Sequence, residues 1–471
     1  MKYTSLAPIQ QAIAAGTLTS VALVRHFLTR IEETAYLNSY VEVYPEEALQ
    51  LAAGQDAARA AGREIGPLDG LIISIKDVLC HAGHGVSAGS RMLEGYRSPF
   101  SATAVERLLA AGAIIIGRTN CDEFAMGSAN ENSHYGPTRN GADPALVPGG
   151  SSGGAAVSVQ TGTCTLAIGS STGGSVRQPA AFCGLYGFKP TYGRISRHGL
   201  LAYGSSFDQI GVLSHEPLDI ALVTRIMAGA DDFDATVSTR PVPDYAAEAA
   251  TSASGEKFRI AYLGTALRHP GIDSEIAARF REQLAALEEQ GQTVTEVEFD
   301  LLDYVVPTYY VLTTAEASSN LSRYDGLRFG HRAEGAKTLE EMYRRSRSEG
   351  FGKEVQRRIL LGTYVLSAGY YDAYFGKAQQ VRRLIRDRLL EILTDHDFIF
   401  LPVSPVLPWP VGELRDDPVA NYLADIFTVI ANLAGLPALA VPAGNSESGL
   451  PIGCQFMGRP WEEGKLLRVV R

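Results

Sequence analysis

Cysteine is scarce in this sequence. Five residues (Cys80, Cys121, Cys164, Cys183 and Cys454) are spread over 471 positions without a CxxC pair. That excludes a zinc ribbon and a disulfide framework, and points to buried, reduced thiols of a cytosolic protein. Long apolar runs are also missing. The opening MKYTSLAPIQQAIAAG has no signal-type core, and no run approaches the roughly 18 apolar residues of a membrane span. A cytoplasmic location without membrane contact is expected. Positive charge is outweighed, with 42 Lys and Arg against 52 Asp and Glu and a formal net charge of −10. This argues against a surface that grips nucleic acid over a wide area. Metal sites are expected to be absent.

Two local absences constrain the chemistry. No lysine lies between positions 77 and 188, which removes the phosphate loop G-x-x-x-x-G-K-[ST] from consideration there. No histidine lies between 135 and 197, so a nucleophilic site in that stretch is not expected to take its base from a histidine close by in the sequence.

What is present is an ordinary globular composition, 45% hydrophobic and 20% charged, with ample material for a core. Helical spacing covers 5–15 and 20–34, where Leu23, Val24, Phe27, Leu28 and Ile31 recur at three- and four-residue intervals. A third helix is expected over 46–62. LIISI (71–75) and AIIIG (113–117) read as fully buried strands separated by a helix over 102–111, and Leu166–Ile168 continues the alternation. An α/β sheet covered on both faces follows. Ligands of such sheets gather at the carboxyl ends of strands, so Lys76, Asn120 and the glycine-rich stretch after 168 are expected to share one rim. Residues 231–255 are polar and read as a surface excursion. Beyond them come strands at 258–264, 293–299, 397–403, 438–442 and 452–457. Helices are expected at 273–290, 308–323, 366–394 and near 420–434. The expected organisation is one large domain: an N-terminal helical layer (1–62), a core (63–230) and a remainder of the same sheet (231–471). The sequence ends with KLLRVVR inside a helical pattern.

The densest signal is Pro148–Pro179, PGGSSGGAAVSVQTGTCTLAIGSSTGGSVRQP. Two Gly/Ser clusters flank an apolar run, and glycine allows each to fold as a tight loop with inward N–H groups. The serines could simply cap helices starting near 152 and 175. GGSSGG also fits the G-x-S-x-G elbow centred on Ser151 or Ser152, which requires a downstream acid and histidine; His198, His215, His269, His331 and His396 are available. A third reading is a Ser–Lys amidase, whose lysine must be made neutral by burial or nearby positive charge. Lys76, at the end of an apolar strand, suits that demand. Taken alone, it could equally be an ordinary strand-end lysine paired with Asp77.

Lys76 in SIKD, GGSSGG, and TGGSVRQPA at 172–180 together resemble the amidase signature family, with 75 positions from Lys76 to Ser151 and 24 more to Ser175. The resemblance implies a large mixed sheet between helical layers (α/β/α) and a Ser–cis-Ser–Lys triad. Ser175 would be the nucleophile, Ser151 the relay and Lys76 the base, with the backbone N–H groups of Thr172, Gly173 and Gly174 as oxyanion hole. Segments outside these motifs, among them NCDEFAMGSANENSHYGPTRN (120–140), RRILLG (357–362) and ADIFT (424–428), are similar to the A-subunit family of glutamyl-tRNA(Gln) amidotransferases. That similarity implies hydrolysis of glutamine, with ammonia passed to a B subunit that uses ATP and Mg to amidate mischarged tRNA. It also implies a C subunit, no cofactor in this chain, and Asp-tRNA(Asn) as a further acceptor to be considered. Free glutamine needs a cation for its carboxylate and an anion for its ammonium; the family pattern puts these at Arg358 and Asp425, with Arg357 adjacent. One departure stands out. The family usually has Asp before TGGS, whereas this chain has Ser171, which can keep a hydrogen bond but not a charge. A free-standing amidase for another small amide and a catalytically silent scaffold subunit remain as alternatives.

Overall fold

The computed structural model describes residues 2–250, 256–414 and 418–470. Its centre is one mixed sheet of eleven strands. In chain order these are β1 (Tyr40–Val43), β2 (Ile72–Lys76), β3 (Ile114–Thr119), β4 (Leu166–Ser171), β5 (Tyr186–Lys189), β6 (Gln209–Ser214), β7 (Arg259–Leu263), β8 (Thr293–Val297), β9 (Phe398–Pro402), β10 (Ala438–Asn445) and β11 (Pro451–Met457). Across the sheet the order is β1-β3-β2-β4-β6-β5-β10-β11-β9-β7-β8. The strands β3, β2 and β4 run parallel, as do β9, β7 and β8; the strands between these two groups are antiparallel.

Side-chain alternation explains why β2, β3 and β4 are apolar throughout. Ile73, Ile75, Ile115, Leu166 and Ile168 face one core, whereas Ile72, Ile114, Ile116 and Ala167 face another. The first core is closed by the helices Thr103–Ala110, Pro217–Met227 and Ser274–Glu289, and the second by Ser20–Glu33 and Pro45–Ala60. Leu23, Val24, Phe27 and Ile31 line the inward stripe of Ser20–Glu33, as their spacing predicts. A third core, between the helices Leu302–Asn320 and Lys377–Asp395 and the strands β7 and β9, covers the distal part of the sheet.

The structure departs from the sequence expectations in the second half. The helix expected at 308–323 starts earlier, at Leu302, with Pro307 inside its first turns. The pattern at 366–394 begins as a π-helical turn, Tyr371–Gly376, before the α-helix Lys377–Asp395. Two helices, Leu339–Gly350 and Lys353–Val365, occupy a stretch for which none was expected. The helix near 420–434 is broken into Pro418–Leu423 and Val429–Ala434, with Asp425 in the break. Part of the polar segment 231–255 is no surface excursion: the helix Tyr245–Ala250 buries Tyr245 and Ala249 in the first core, and 251–255 lie outside the described residues. Among the described residues, no helix is long and apolar enough to cross a membrane.

Candidate active site

The carboxyl ends of three adjacent parallel strands meet at one rim, as expected. Lys76 is the last residue of β2, Asn120 follows β3, and β4 ends at Ser171, where the second Gly/Ser loop begins. The first Gly/Ser cluster enters the helix Gly153–Gln160, whose small residues allow close packing. Ala155, Ala156 and Val157 lie against the sheet, and the Ser158 hydroxyl meets that of Ser74 on β2 at 3.0 Å. The peptide bond Gly150–Ser151 is cis.

Lys76 is wholly buried. Its Nζ lies 2.7 Å from Ser151 Oγ, 2.9 Å from Ser152 Oγ and 3.4 Å from the carbonyl oxygen of Ser170. Asp77 does not pair with it. That carboxylate accepts from the backbone N–H groups of Ser87 and Gly89 and from Arg118. Burial without a contacting acid pulls the Lys76 pKa down to about 8. A protonated amine has three hydrogens for these three oxygens, but the neutral amine has only two. A carbonyl cannot donate, so in the neutral state a serine hydroxyl is the group that turns its proton toward Nζ.

Ser152 stands at the N-cap position of its helix without making a side-chain cap, because its hydroxyl is engaged by Lys76 and by the Ser170 carbonyl at 3.1 Å. Ser175 precedes the short helix Arg177–Phe182, and Val176 is that helix's N-cap. The N–H of Ser152 donates to the Ser175 carbonyl at 3.2 Å, which fixes the two serine clusters side by side. Among the described residues the Ser175 side chain has no hydrogen-bond partner, and the N–H groups of Thr172, Gly173 and Gly174 donate to none. The loop is held by its other atoms. Ser171 Oγ donates to the Gly173 carbonyl at 3.1 Å, Arg177 Nη2 to the same oxygen at 2.5 Å, and Tyr309 OH to Thr172 Oγ1 at 3.0 Å. Gly174 is needed for space, since a Cβ there would come within 2.5 Å of Thr428 Oγ1 and 2.8 Å of Asp425 Oδ1.

A cavity of about 400 Å³ is walled by Asp122, Ser128, Glu131, Glu354, Arg357 and Arg358 among others. Ser151 and Asp425 lie one residue layer behind that wall: Asp122 N–H donates to the Ser151 carbonyl at 3.3 Å, and the Ser128 hydroxyl donates to Asp425 Oδ2. Asp425 Oδ1 is buried without a partner. Burial pushes this carboxyl up to about 7, against the opposing pull of Ser128, Arg358 and Arg177.

The two adjacent arginines differ sharply. The Arg357 side chain is 41% exposed and pairs with Glu354, whereas that of Arg358 is 3% exposed. Arg358 donates to Glu354 Oε1 at 2.8 Å and to Tyr203 OH at 2.6 Å, and its guanidinium lies over the rings of Tyr310 and Tyr422. Burial works against its charge, and the Tyr203 oxygen and the Glu354 carboxylate outweigh that effect. Sequence reasoning missed Tyr203, Tyr310, Glu354 and Tyr422, which surround Arg358, and Tyr309, which holds Thr172, because single aromatic and acidic residues on helices and loops carry no spacing signal.

Residues 22–467 match the amidase family. The chain is 48% identical over its whole length to the A subunit of the glutamyl-tRNA(Gln) amidotransferase of Chloroflexus aggregans, covering 95% of that protein. It is 49% identical to the corresponding A subunit from Chlorobium luteolum, covering 97% of it. Among solved structures, that of the glutamyl-tRNA(Gln) amidotransferase A subunit from Thermotoga maritima superposes with a TM-score of 0.79 at 39% identity, over 98% of this chain and 92% of that one. The peptide amidase of Stenotrophomonas maltophilia superposes with a TM-score of 0.83 at 31% identity, over 99% and 95%. The chain belongs to the amidase family, and it shares nearly half of its residues, along its full length, with A subunits of glutamyl-tRNA(Gln) amidotransferases.

Proposed function

We propose that this chain is the glutaminase component of a tRNA-dependent amidotransferase, working in the cytoplasm in a heterotrimer with B and C subunits. It hydrolyses glutamine to glutamate and ammonia, and the B subunit uses ATP and Mg with that ammonia to amidate Glu-tRNA(Gln). Asp-tRNA(Asn) is a second acceptor to be tested on the assembled complex.

In this reading Lys76, neutral, takes the proton of Ser151, and Ser151 takes that of Ser175 as the Ser175 oxygen bonds to the side-chain amide carbon of glutamine. The oxyanion formed from the amide carbonyl accepts from the N–H groups of Thr172, Gly173 and Gly174, where each donor is worth on the order of 10²–10³ in rate. Collapse breaks the C–N bond, and the proton stored on Lys76 returns through Ser151 to the leaving nitrogen, which departs as ammonia. Water then adds to the Ser175 ester by the same relay and glutamate leaves. Asp425 receives the substrate ammonium, for which its unpartnered Oδ1 supports the reading, and Arg358 receives the carboxylate.

The observation that carries the proposal is the 2.7 Å contact between a fully buried Lys76 and Ser151 without any contacting acid. Its test is ammonia release from glutamine by the chain with B and C subunits. Ser175→Ala is expected to lose at least about 10⁴-fold in rate, and unchanged release from that variant would overturn the mechanism. Full-rate release by the isolated chain, unaltered by the other subunits, tRNA or ATP, would favour a free-standing amidase.

A further inference from the structure

A separate group of ligating side chains lies beyond the end of β2, away from the cavity. The segment His81-Ala82-Gly83-His84 closes on itself, with His84 N–H donating to the His81 carbonyl at 3.0 Å. It is pinned from outside by Gly83 N–H on the Ser98 carbonyl at 2.8 Å and Ala82 N–H on the Ser101 hydroxyl at 3.0 Å. Gly83 has φ of +78°, a conformation that a side chain would resist. This reversal lays the two imidazoles side by side, their rings stacked at 4.1 Å. Glu47, in the first turn of the helix Pro45–Ala60, approaches from a different element, with Oε2 2.9 Å from His84 Nε2. One nitrogen from each ring and one oxygen of Glu47 lie within 4.8 Å of one another. Two polar groups here are buried without a partner: Nδ1 of His81, a residue only 6% exposed, and the hydroxyl of Tyr44, whose ring packs 4.2 Å from that of His84. Leaving such groups unpaired is unfavourable, and a ligand with bound water would relieve it.

We propose that Glu47, His81 and His84 form a binding site for one divalent transition-metal ion of the zinc type, with water completing its coordination. Two imidazole nitrogens and one carboxylate oxygen are the donor set of open zinc sites. Bonds of about 2.1 Å in a tetrahedral site set donors about 3.4 Å apart, so the part-exposed His84 and Glu47 side chains would turn inward to close the set. Both residues border an open groove with Gln50 and Arg97, which gives an ion a solvent route. The neighbouring cations are already engaged: Arg97 with the Gly83 carbonyl at 2.8 Å, and Arg118 with Glu42 and Asp77. The ion joins the helix Pro45–Ala60 to the segment after β2 and takes no part in the proposed hydrolysis.

The test uses the full chain stripped with EDTA. Calorimetric titration with Zn²⁺ is expected to give one ion per chain and a raised Tm, and Co²⁺ a four-coordinate ligand-field spectrum in the visible. H84Q and E47A, both at part-exposed positions and checked for folding by circular dichroism, are expected to weaken binding by at least about tenfold, the loss produced by removing even an outer-shell partner of a ligand. No stoichiometric binding by the wild type, or equal affinity in both folded variants, would overturn the proposal.

Discussion

Arg177 donates through Nη2 to the carbonyl oxygen of Gly173 at 2.5 Å, and among the described residues no carboxylate contacts its guanidinium. Its remaining partners are neutral: the Thr428 carbonyl and Asn432 Oδ1, each at 2.8 Å, and Gln455 Oε1 at 2.5 Å. A fully buried cation held by dipoles therefore fastens the loop proposed to stabilise the oxyanion, and burial depresses its pKa. Ser171 contributes one hydrogen bond to the same Gly173 oxygen and no charge.

Arg177→Ala strips several buried acceptors of their donor. It is expected to cost about 3 kcal/mol or more of stability, measured by denaturant unfolding, together with most of the glutaminase activity. Ser171→Ala loses a single neutral bond and is expected to cost about 1 kcal/mol, with activity reduced by less than about tenfold.

In the proposed mechanism Lys76 must be neutral to act as base, so the rate of ammonia release is expected to rise with pH and to reach half its plateau near pH 8, the value to which burial pulls Lys76. Stability should follow the same group. Its folded pKa lies below the unfolded value of 10.5, so the unfolded chain binds the extra proton between about pH 8 and 10.5, and folding gains stability as pH rises through that window. Lys76→Met should abolish activity and flatten this part of the stability profile, measured by chemical denaturation across the range.

Asp425 is pushed up to about 7 in the unliganded site. A substrate ammonium favours the carboxylate, so KM for glutamine is expected to rise as pH falls below about 7, the carboxyl then being protonated before substrate arrives. Asp425→Asn should raise KM by on the order of 10–100-fold, the worth of one charged hydrogen bond, and remove that acid-side dependence in steady-state kinetics.

Arg358→Ala is expected to raise KM by a similar factor of about 10–100. Arg357→Ala, which removes a 41% exposed side chain and its pair with Glu354, should change KM by less than about fivefold. Steady-state kinetics on the two variants distinguish the adjacent arginines, and a larger effect at Arg357 would move the carboxylate site to it.

The parts of this architecture that were legible share a physical signature. Strands buried on both faces must be apolar throughout, so β2 and β3 declare themselves, and glycine marks the loops that follow β4. The helix Lys353–Val365 does not announce itself, because its inward residues are Val355, Arg358, Gly362 and Val365, while Leu360, Leu361 and Tyr364 face outward. A buried arginine replaces the apolar stripe by which a helix is recognised. The break at Asp425 is hidden for a related reason. The carbonyl of Asp425 accepts from the N–H and hydroxyl of Thr428, a local substitute for helical bonding that apolar spacing does not encode. The grouping of Glu47 with His81 and His84 is equally invisible, since the carboxylate comes from an earlier helix.

The break between Pro418–Leu423 and Val429–Ala434 also bears on how this scaffold can be diversified. Lys76 and the Ser171–Ser175 loop hang on the ends of the neighbouring strands β2 and β4, and Ser151 leads into the helix Gly153–Gln160, all within one contiguous stretch of chain. Arg358 and Asp425 stand on a helix and an interrupted helix that belong to the other half of the sequence. In the proposed mechanism, reaction chemistry and the choice of amide are thereby carried by separate genetic segments. Exchanging the Lys353–Val365 helix and the Ala424–Thr428 connection is therefore expected to retarget the protein while the proposed hydrolytic cassette is inherited unchanged.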